Sequence, residues 1–257
     1  MNKLPRMHFA MQKSASKENV YELYLYDDIT EQGKFNWETW SYDESETSAK
    51  HFKELLDSVP QDAEIELYIN SNGGSVKEGT AIYNQLKRHG AHKTGYVDGV
   101  AHSIAFVILQ ACDHRVMGEG TSALVHEMWV CTCGNAKQLR EEADQLDTLM
   151  EGNRALFMQR AKGITEEGLR DMMEKETILT PDLALQYGFV DEIAGRKKAE
   201  PSQEDVIGEV NQLRGRLRNE HFAQEIQQFS KLVNAREDVP GEHMGDSIMD
   251  SFFKIFS

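Results

Sequence analysis

The segment GYVDGVAHSIAFVILQAC, residues 95–112, is apolar for most of its length yet sets His102 and Ser103 side by side in its middle. An imidazole and a hydroxyl inside a run otherwise suited to burial need a structural partner or a chemical task. HKTGYVDGV alternates as a strand does, and SIAFVILQAC has the unbroken apolarity of a buried helix, so the serine falls at a strand-to-helix turn. Ser103 can simply cap that helix. It can also be a nucleophile, because the free N–H groups and dipole of a helix start favour developing negative charge.

The surrounding sequence repeats this rhythm. ENVYELYLYDDI reads as a first strand, and TEQGKFNWETWSYDESE after it is polar and turn-like. TSAKHFKELLDSV has a Thr or Ser cap and then Phe52, Leu55, Leu56 and Val59 at helical spacing, closed by Pro60. AEIELYIN is a second strand, SNGGS a loop, and VKEGTAIYNQLKRHG a helix with Val76, Ile82 and Leu86 inward and Gly90 at its end. DHRVMGEGTSALVHEMW reads as two short strands around glycine turns. Strands alternating with helices predict an α/β fold with parallel pairing and right-handed crossovers, whose loops gather at the carboxyl ends of the strands, where ligands bind.

From Lys137 to Lys162 the pattern is one long helix, with Leu139, Ala143, Leu146, Met150, Leu156 and Phe157 available for one face. ITEEGLRDMMEKE is a shorter helix, TPDLALQYG another that starts at Thr180 with Pro181 in its first position, and FVDEIAG a last turn or strand. Three regions are expected: a flexible N-terminal segment (1–19), a compact domain (20–195), and a charged linker with an amphipathic helical tail (196–257). In the tail Val206, Val210, Leu213 and Leu217, then Phe222, Ile226, Phe229 and Leu232, recur at near-helical steps, and SIMDSFFKIFS is apolar enough to dock.

Composition narrows the function. The 257 residues carry 43 acidic and 28 basic side chains, a formal charge of −15, which repels nucleic-acid phosphates and anionic membrane surfaces. No apolar run reaches the roughly 18–20 residues of a membrane span, and MNKLPRMHFAMQKSASKENV lacks a signal-peptide core. The expectation is a soluble, cytoplasmic protein that binds neither nucleic acid nor membrane. Cys112, Cys131 and Cys133 suit a reducing compartment, and no second cysteine pair completes a zinc site with CTCG.

Two further features can carry chemistry. In NSNGGS, residues 70–75, paired glycines let backbone amides face a ligand, as an oxyanion site requires. The spacing is neither that of a phosphate loop nor that of a dinucleotide fingerprint, and a tight turn explains the loop equally well. His126 in ALVHEMW ends an apolar strand, where a lone histidine is commonly structural.

Taken in order, these features form a recognisable series: strand-INS-x-GGS, the Gly-x-Ala-x-Ser-x-Ala segment from Gly99 to Ala105, a strand ending in His126, and LALQYGFVDEI. Over about residues 20–195 the chain resembles the Clp protease proteolytic subunit family, and in particular its phage-encoded, head maturation protease-like branch. The resemblance implies a crotonase-like spiral of ββα units with a helical handle in the 137–162 stretch. It implies Ser103 as nucleophile, His126 as its base, and Gly74 and Ile104 as oxyanion-hole amides, with no metal or organic cofactor. The family's third member is normally an Asp; counting back from Tyr187 puts Glu176 there, with Asp171 and Asp182 as fallbacks and Asp191 as a structural residue. His102 departs from the small residue usual beside the nucleophile.

The implied activity is serine endopeptidase action on protein or peptide substrates inside a heptameric ring, single or stacked in two. The phage-like character of the resemblance, together with the acidic charge and the tail after Arg196, implies processing of phage scaffold or capsid protein inside a prohead; the alternative is a degradative peptidase fed by an unfoldase ATPase. Two rivals on the same fold are an acyl-CoA hydratase or isomerase, which would not need Ser103 and His126 together, and a non-catalytic ring or scaffold.

Overall fold

The computed structural model describes residues 9–196. The expected linker and amphipathic tail lie outside the described residues, Arg196 apart.

The chain runs β1 (Phe9–Lys13), β2 (Val20–Tyr26), β3 (Gln32–Asn36), β4 (Ser41–Glu44), α1 (Ala49–Asp57), β5 (Glu64–Ser71), α2 (Val76–Arg88) and β6 (His92–His102). It continues through α3 (Ile104–Leu109), β7 (His114–Met117), β8 (Ser122–Val125), α4 (Ala136–Met158), α5 (Glu166–Glu174), β9 (Thr177–Leu179), α6 (Pro181–Gln186) and β10 (Glu192–Ile193). The main sheet has the order β1-β2-β5-β6-β7-β10, with β8 added to β6 and β9 to β8. Its central strands pair in parallel, while β1 and β9 join antiparallel. The result is a mixed α/β fold.

Alternation along the strands sorts the two faces of the sheet. Leu23 and Leu25 of β2 and Ile65, Leu67 and Ile69 of β5 are buried. On the opposite face Tyr24, Tyr68 and Tyr96 of three neighbouring strands stack in a row, with ring centroids 5.2 Å apart at each step. Helix α1 follows its Ser48 cap and buries Phe52 and Leu56; α2 follows its Ser75 cap and buries Ile82, Tyr83 and Leu86. All six residues of α3 are buried, so that short helix is held by packing rather than by its own length.

Three local expectations change. Residues 1–19 do not stand wholly apart: Phe9–Lys13 pair with β2, and Phe9 packs edge-on against Phe52 at 6.1 Å. The polar stretch after β2 is not merely turn-like, because β3 and β4 form a hairpin outside the main sheet. Between α5 and α6 lies β9, three residues long and paired with β8.

Strand β6 forks, and this positions the site. Its residues Thr94–Val97 pair with β7, whereas Val100–His102 pair with β8. The carboxyl end of β6 therefore lies beside the strand that leads to His126.

Candidate active site

Ser103 follows β6 with φ 55° and ψ −130°. A positive φ is uncommon for a serine and costs of order 1–3 kcal/mol, so the surroundings must hold it. Its N–H donates to the Leu124 carbonyl of β8 at 2.9 Å, and α3 begins at the next residue. Its side chain makes no capping bond to α3. The hydroxyl lies instead 2.8 Å from His126 Nε2, one residue beyond β8. The N-cap reading of Ser103 gives way to a hydroxyl–imidazole pair.

The glycine loop lies against this pair. A Cβ on Gly73 would stand 2.7 Å from the His102 carbonyl oxygen and 2.8 Å from Ser103 Cβ, so only glycine lets the loop approach so closely. Gly74 sits in a parallel bridge with Ile29: the Ile29 N–H donates to the Gly73 carbonyl at 2.7 Å, and the Ser75 N–H donates to the Ile29 carbonyl at 2.8 Å. Those bonds occupy Gly74's neighbours. The Gly74 N–H has no acceptor among the described residues, and neither has that of Ile104, the first residue of α3. Two unused amides near a serine–histidine pair are what an oxyanion site needs.

A cavity of about 700 Å³ runs over the pair. It is lined on one side by Asp28, Ile29 and Thr30 and on another by Met128, Trp129 and Leu146. Trp129 is 79% exposed and Leu149, also in the lining, 57%, so the wall toward α4 is open; it is apolar except for Glu142 and Asn153.

The acidic candidates separate. Glu176 is exposed, at φ 49°, and its N–H donates to the Met173 carbonyl at 3.1 Å. Thr177 pairs with Val125, so one further step of that antiparallel register sets Glu176 opposite His126. The backbone thus brings the two residues to the same end of the ladder. The side chains do not meet: His126 has only the Ser103 hydrogen bond, and the Glu176 carboxylate makes none among the described residues. Asp171 pairs with Lys175 at 2.6 Å along α5, and Asp182 pairs with Arg196. Neither contacts the pair.

Asp191 receives a bidentate grip from Arg115, at 2.9 and 2.8 Å, and also accepts the Arg115 N–H at 3.0 Å. Burial pushes the Asp191 carboxyl up, but the hydrogen bonds and charge of Arg115 outweigh it and hold it below the ordinary carboxylate range. The guanidinium also donates to Gln110 at 2.6 Å, so this cluster ties β7 to the end of α3 and to the chain before β10.

His102 has a structural partner that sequence reasoning missed. Its Nε2 lies 3.0 Å from Ser122 Oγ, a tie across the short β6–β8 ladder. Burial lowers its pKa, and the nearby His126 lowers it further. Ser122 carried no signal of its own: it is a polar residue at a strand start, and only the pairing register gives it a role. Missed likewise is Arg154 of α4, buried to 5% exposure, whose guanidinium reaches Glu127, next to His126, at 3.4 Å. Cys131 and Cys133 are exposed, whereas Cys112 is buried and its thiol is pushed up to about 12 by desolvation. No helix among the described residues is long and apolar enough to cross a membrane.

Comparison with known proteins bears on this arrangement. The Clp protease family profile matches residues 41–197, more than half of the chain. An ATP-dependent Clp protease proteolytic subunit from Deinococcus radiodurans is 30% identical over 141 residues, which cover 54% of this chain and 69% of the relative. The ATP-dependent Clp protease proteolytic subunit 3 of Frankia casuarinae is 30% identical over 147 residues, 56% of this chain and 68% of that protein. Both the profile match and the share of the Deinococcus relative that is covered assign this chain to the Clp protease family.

Proposed function

We propose that the chain is a serine endopeptidase. The observation that carries this reading is the 2.8 Å contact between Ser103 Oγ and His126 Nε2 at a positive-φ serine beside two unused backbone amides. Ser103 Oγ attacks the peptide carbonyl carbon as its proton passes to His126 Nε2. The resulting oxyanion accepts hydrogen bonds from the N–H groups of Gly74 and Ile104. The C–N bond breaks as His126 returns the proton to the leaving amine; water, giving its proton to His126, then attacks the acyl carbon, and the C–O bond to Ser103 breaks as His126 passes that proton back to Oγ. No step requires a metal or organic cofactor.

Glu176 is the proposed orienting carboxylate. Its support is its register position opposite His126; contact with the imidazole requires a turn of the Glu176 side chain, or of the residues before β9, toward Nδ1.

The finer reading follows the family: a crotonase-like spiral whose exposed α4 serves as a handle, assembled into heptameric rings, single or doubled, with the serines facing a chamber. The partly uncovered α4 supports it, since only Met150, Arg154 and Phe157 of its 23 residues are buried. Two settings suit such a ring. Processing of scaffold or capsid protein in a phage prohead draws on the charge of −15 and the amphipathic pattern after Arg196. Degradation fed by an unfoldase ATPase draws on the relatives' description as ATP-dependent. Either is compatible with a cytoplasmic location.

Labelling with a fluorophosphonate tests the chemistry: the adduct is expected on Ser103 and is lost in Ser103→Ala. Equal casein cleavage by wild type and Ser103→Ala would remove Ser103 as nucleophile. An ATP-dependent rise in cleavage with an added unfoldase would favour the second setting.

A further inference from the structure

The β3–β4 hairpin carries the most exposed aromatic cluster among the described residues. Phe35 stands at its centre, with ring centroids 4.8 Å from Trp37, 6.2 Å from Trp40 and 5.2 Å from Tyr42, each contact edge to face. Trp37 and Trp40 also meet edge to face at 6.0 Å. Trp37 is 73% exposed, Trp40 76% and Tyr42 57%. A two-stranded hairpin is marginal by itself, and these rings stabilise it while leaving large indole surfaces to solvent.

Two observations indicate what covers them. The first is continuity with the active-site cavity. The root of the hairpin is a hydroxyl cluster in which Thr30 Oγ1 lies 2.7 Å from Ser45 Oγ and 2.9 Å from Thr47 Oγ1, and Thr30 is also a cavity wall. Phe35 follows Thr30 by five residues, at most about 18 Å of extended chain. A polypeptide running out of the cavity past Thr30 reaches the cluster within a few residues.

The second is charge. Asp28 and Glu142 line the cavity, and no lysine or arginine among the described residues does. Glu38 and Asp43 are exposed on the hairpin beside the aromatic rings against one hairpin lysine, Lys34, while Glu44 is paired with Lys50 of α1 at 2.5 Å. Indole faces ringed by carboxylates attract a guanidinium or ammonium group through the ring quadrupole and the surrounding charge, and the chain's −15 steers cationic segments toward it.

The geometry points to Phe35, Trp37, Trp40 and Tyr42 as an exosite that holds an arginine or lysine side chain of the extended protein substrate lying in the cavity. This rests on the reading of that cavity as a protein-substrate site. The occupant is a cationic segment of polypeptide, and its side chain docks on the indole faces while the neighbouring backbone lies over Ser103.

Binding of fluorescein-labelled 20-residue unstructured peptides to the full chain tests it, with Ser103→Ala as the background so that the peptide stays intact. One peptide carries arginines and a matched peptide carries glutamines. Adding Trp37→Ala and Trp40→Ala is expected to weaken the arginine peptide about tenfold, as two exposed cation–π contacts require, and the glutamine peptide less than twofold. Trp37→Tyr with Trp40→Tyr should recover most of the loss, and rising salt should weaken only the arginine peptide. Equal loss for both peptides, or no loss for either, would overturn the cation site. A fall in sedimentation mass with unchanged peptide affinity would show a contact between copies of the chain instead. Cleavage of the arginine peptide by the wild type is scored separately: absence of Ser103-dependent cleavage beside arginine-selective binding overturns the peptidase reading, not the exosite.

Discussion

The two flanks of His126 are built differently. On the side of Ser103 everything is fixed: β6 and β8 pair at three positions, the Ser103 N–H is anchored on Leu124, His102 is tied to Ser122, and the following helix is wholly buried. On the side of Glu176 the ladder is three residues long, the carboxylate is exposed, and no hydrogen bond reaches the imidazole among the described residues. A nucleophile and its base must hold hydrogen-bond distance through the reaction, whereas an orienting carboxylate can arrive from an exposed turn. The contrast suggests which half is preorganised and which half is adjustable.

Breaking the fixed half should have the largest effect. Ser103→Ala and His126→Ala are each expected to lower kcat by about 10⁴-fold or more, as for other residues that act as a unit, with little change in thermal midpoint. The double variant should be no worse than either single one. Steady-state rates and calorimetry on the same preparations check this.

The adjustable half should respond less. If Glu176 orients His126, Glu176→Gln lowers kcat about 10²-fold or more with KM nearly constant, while Asp171→Asn and Asp182→Asn stay within twofold. Loss in Asp171→Asn but not in Glu176→Gln would reassign the carboxylate.

A stability test separates the scaffold from both flanks. Arg115→Met leaves the half-buried Asp191 with only Arg160, 3.8 Å away, and should cost about 2 kcal/mol by urea unfolding. Because the folded Asp191 carboxyl titrates below its ordinary value, its contribution is present above the unfolded pKa and is lost as pH falls through the folded one. The wild type should therefore lose stability on acidification more steeply than Arg115→Met.

The smallest effect concerns the tie between the two strands. His102→Phe removes the Ser122 bond and should cost about 1 kcal/mol. The folded His102 titrates below 6.5, so its contribution is complete above that pH and falls away as pH drops through the folded value; His102→Phe should lack that acid-side slope. An unchanged slope would locate the titration elsewhere.

Much of this was legible in the sequence. The α1 and α6 caps, the long α4 and the buried α3 follow from residue types and periodicity. The hairpin was not legible, because every residue of Gln32–Asn36 and Ser41–Glu44 is exposed or half-buried, and a strand without a buried face writes no alternation into its sequence. β1 and β9 escaped for a related reason: they are short edge strands, defined by their partners rather than by their own composition.

By itself the sequence determined the local elements and supplied a serine at a strand-to-helix turn, a glycine loop and a histidine after a strand. Only the tertiary structure decided that these meet. Parallel pairing brings together residues far apart in the chain, and the fork in β6 sets Ser103 and His126, 23 positions apart, at 2.8 Å. The same fork gave His102 its partner, Ser122. The rotamer of Glu176 depends on neither propensity nor register, which is why its place in the sequence could be counted while its contact with His126 could not.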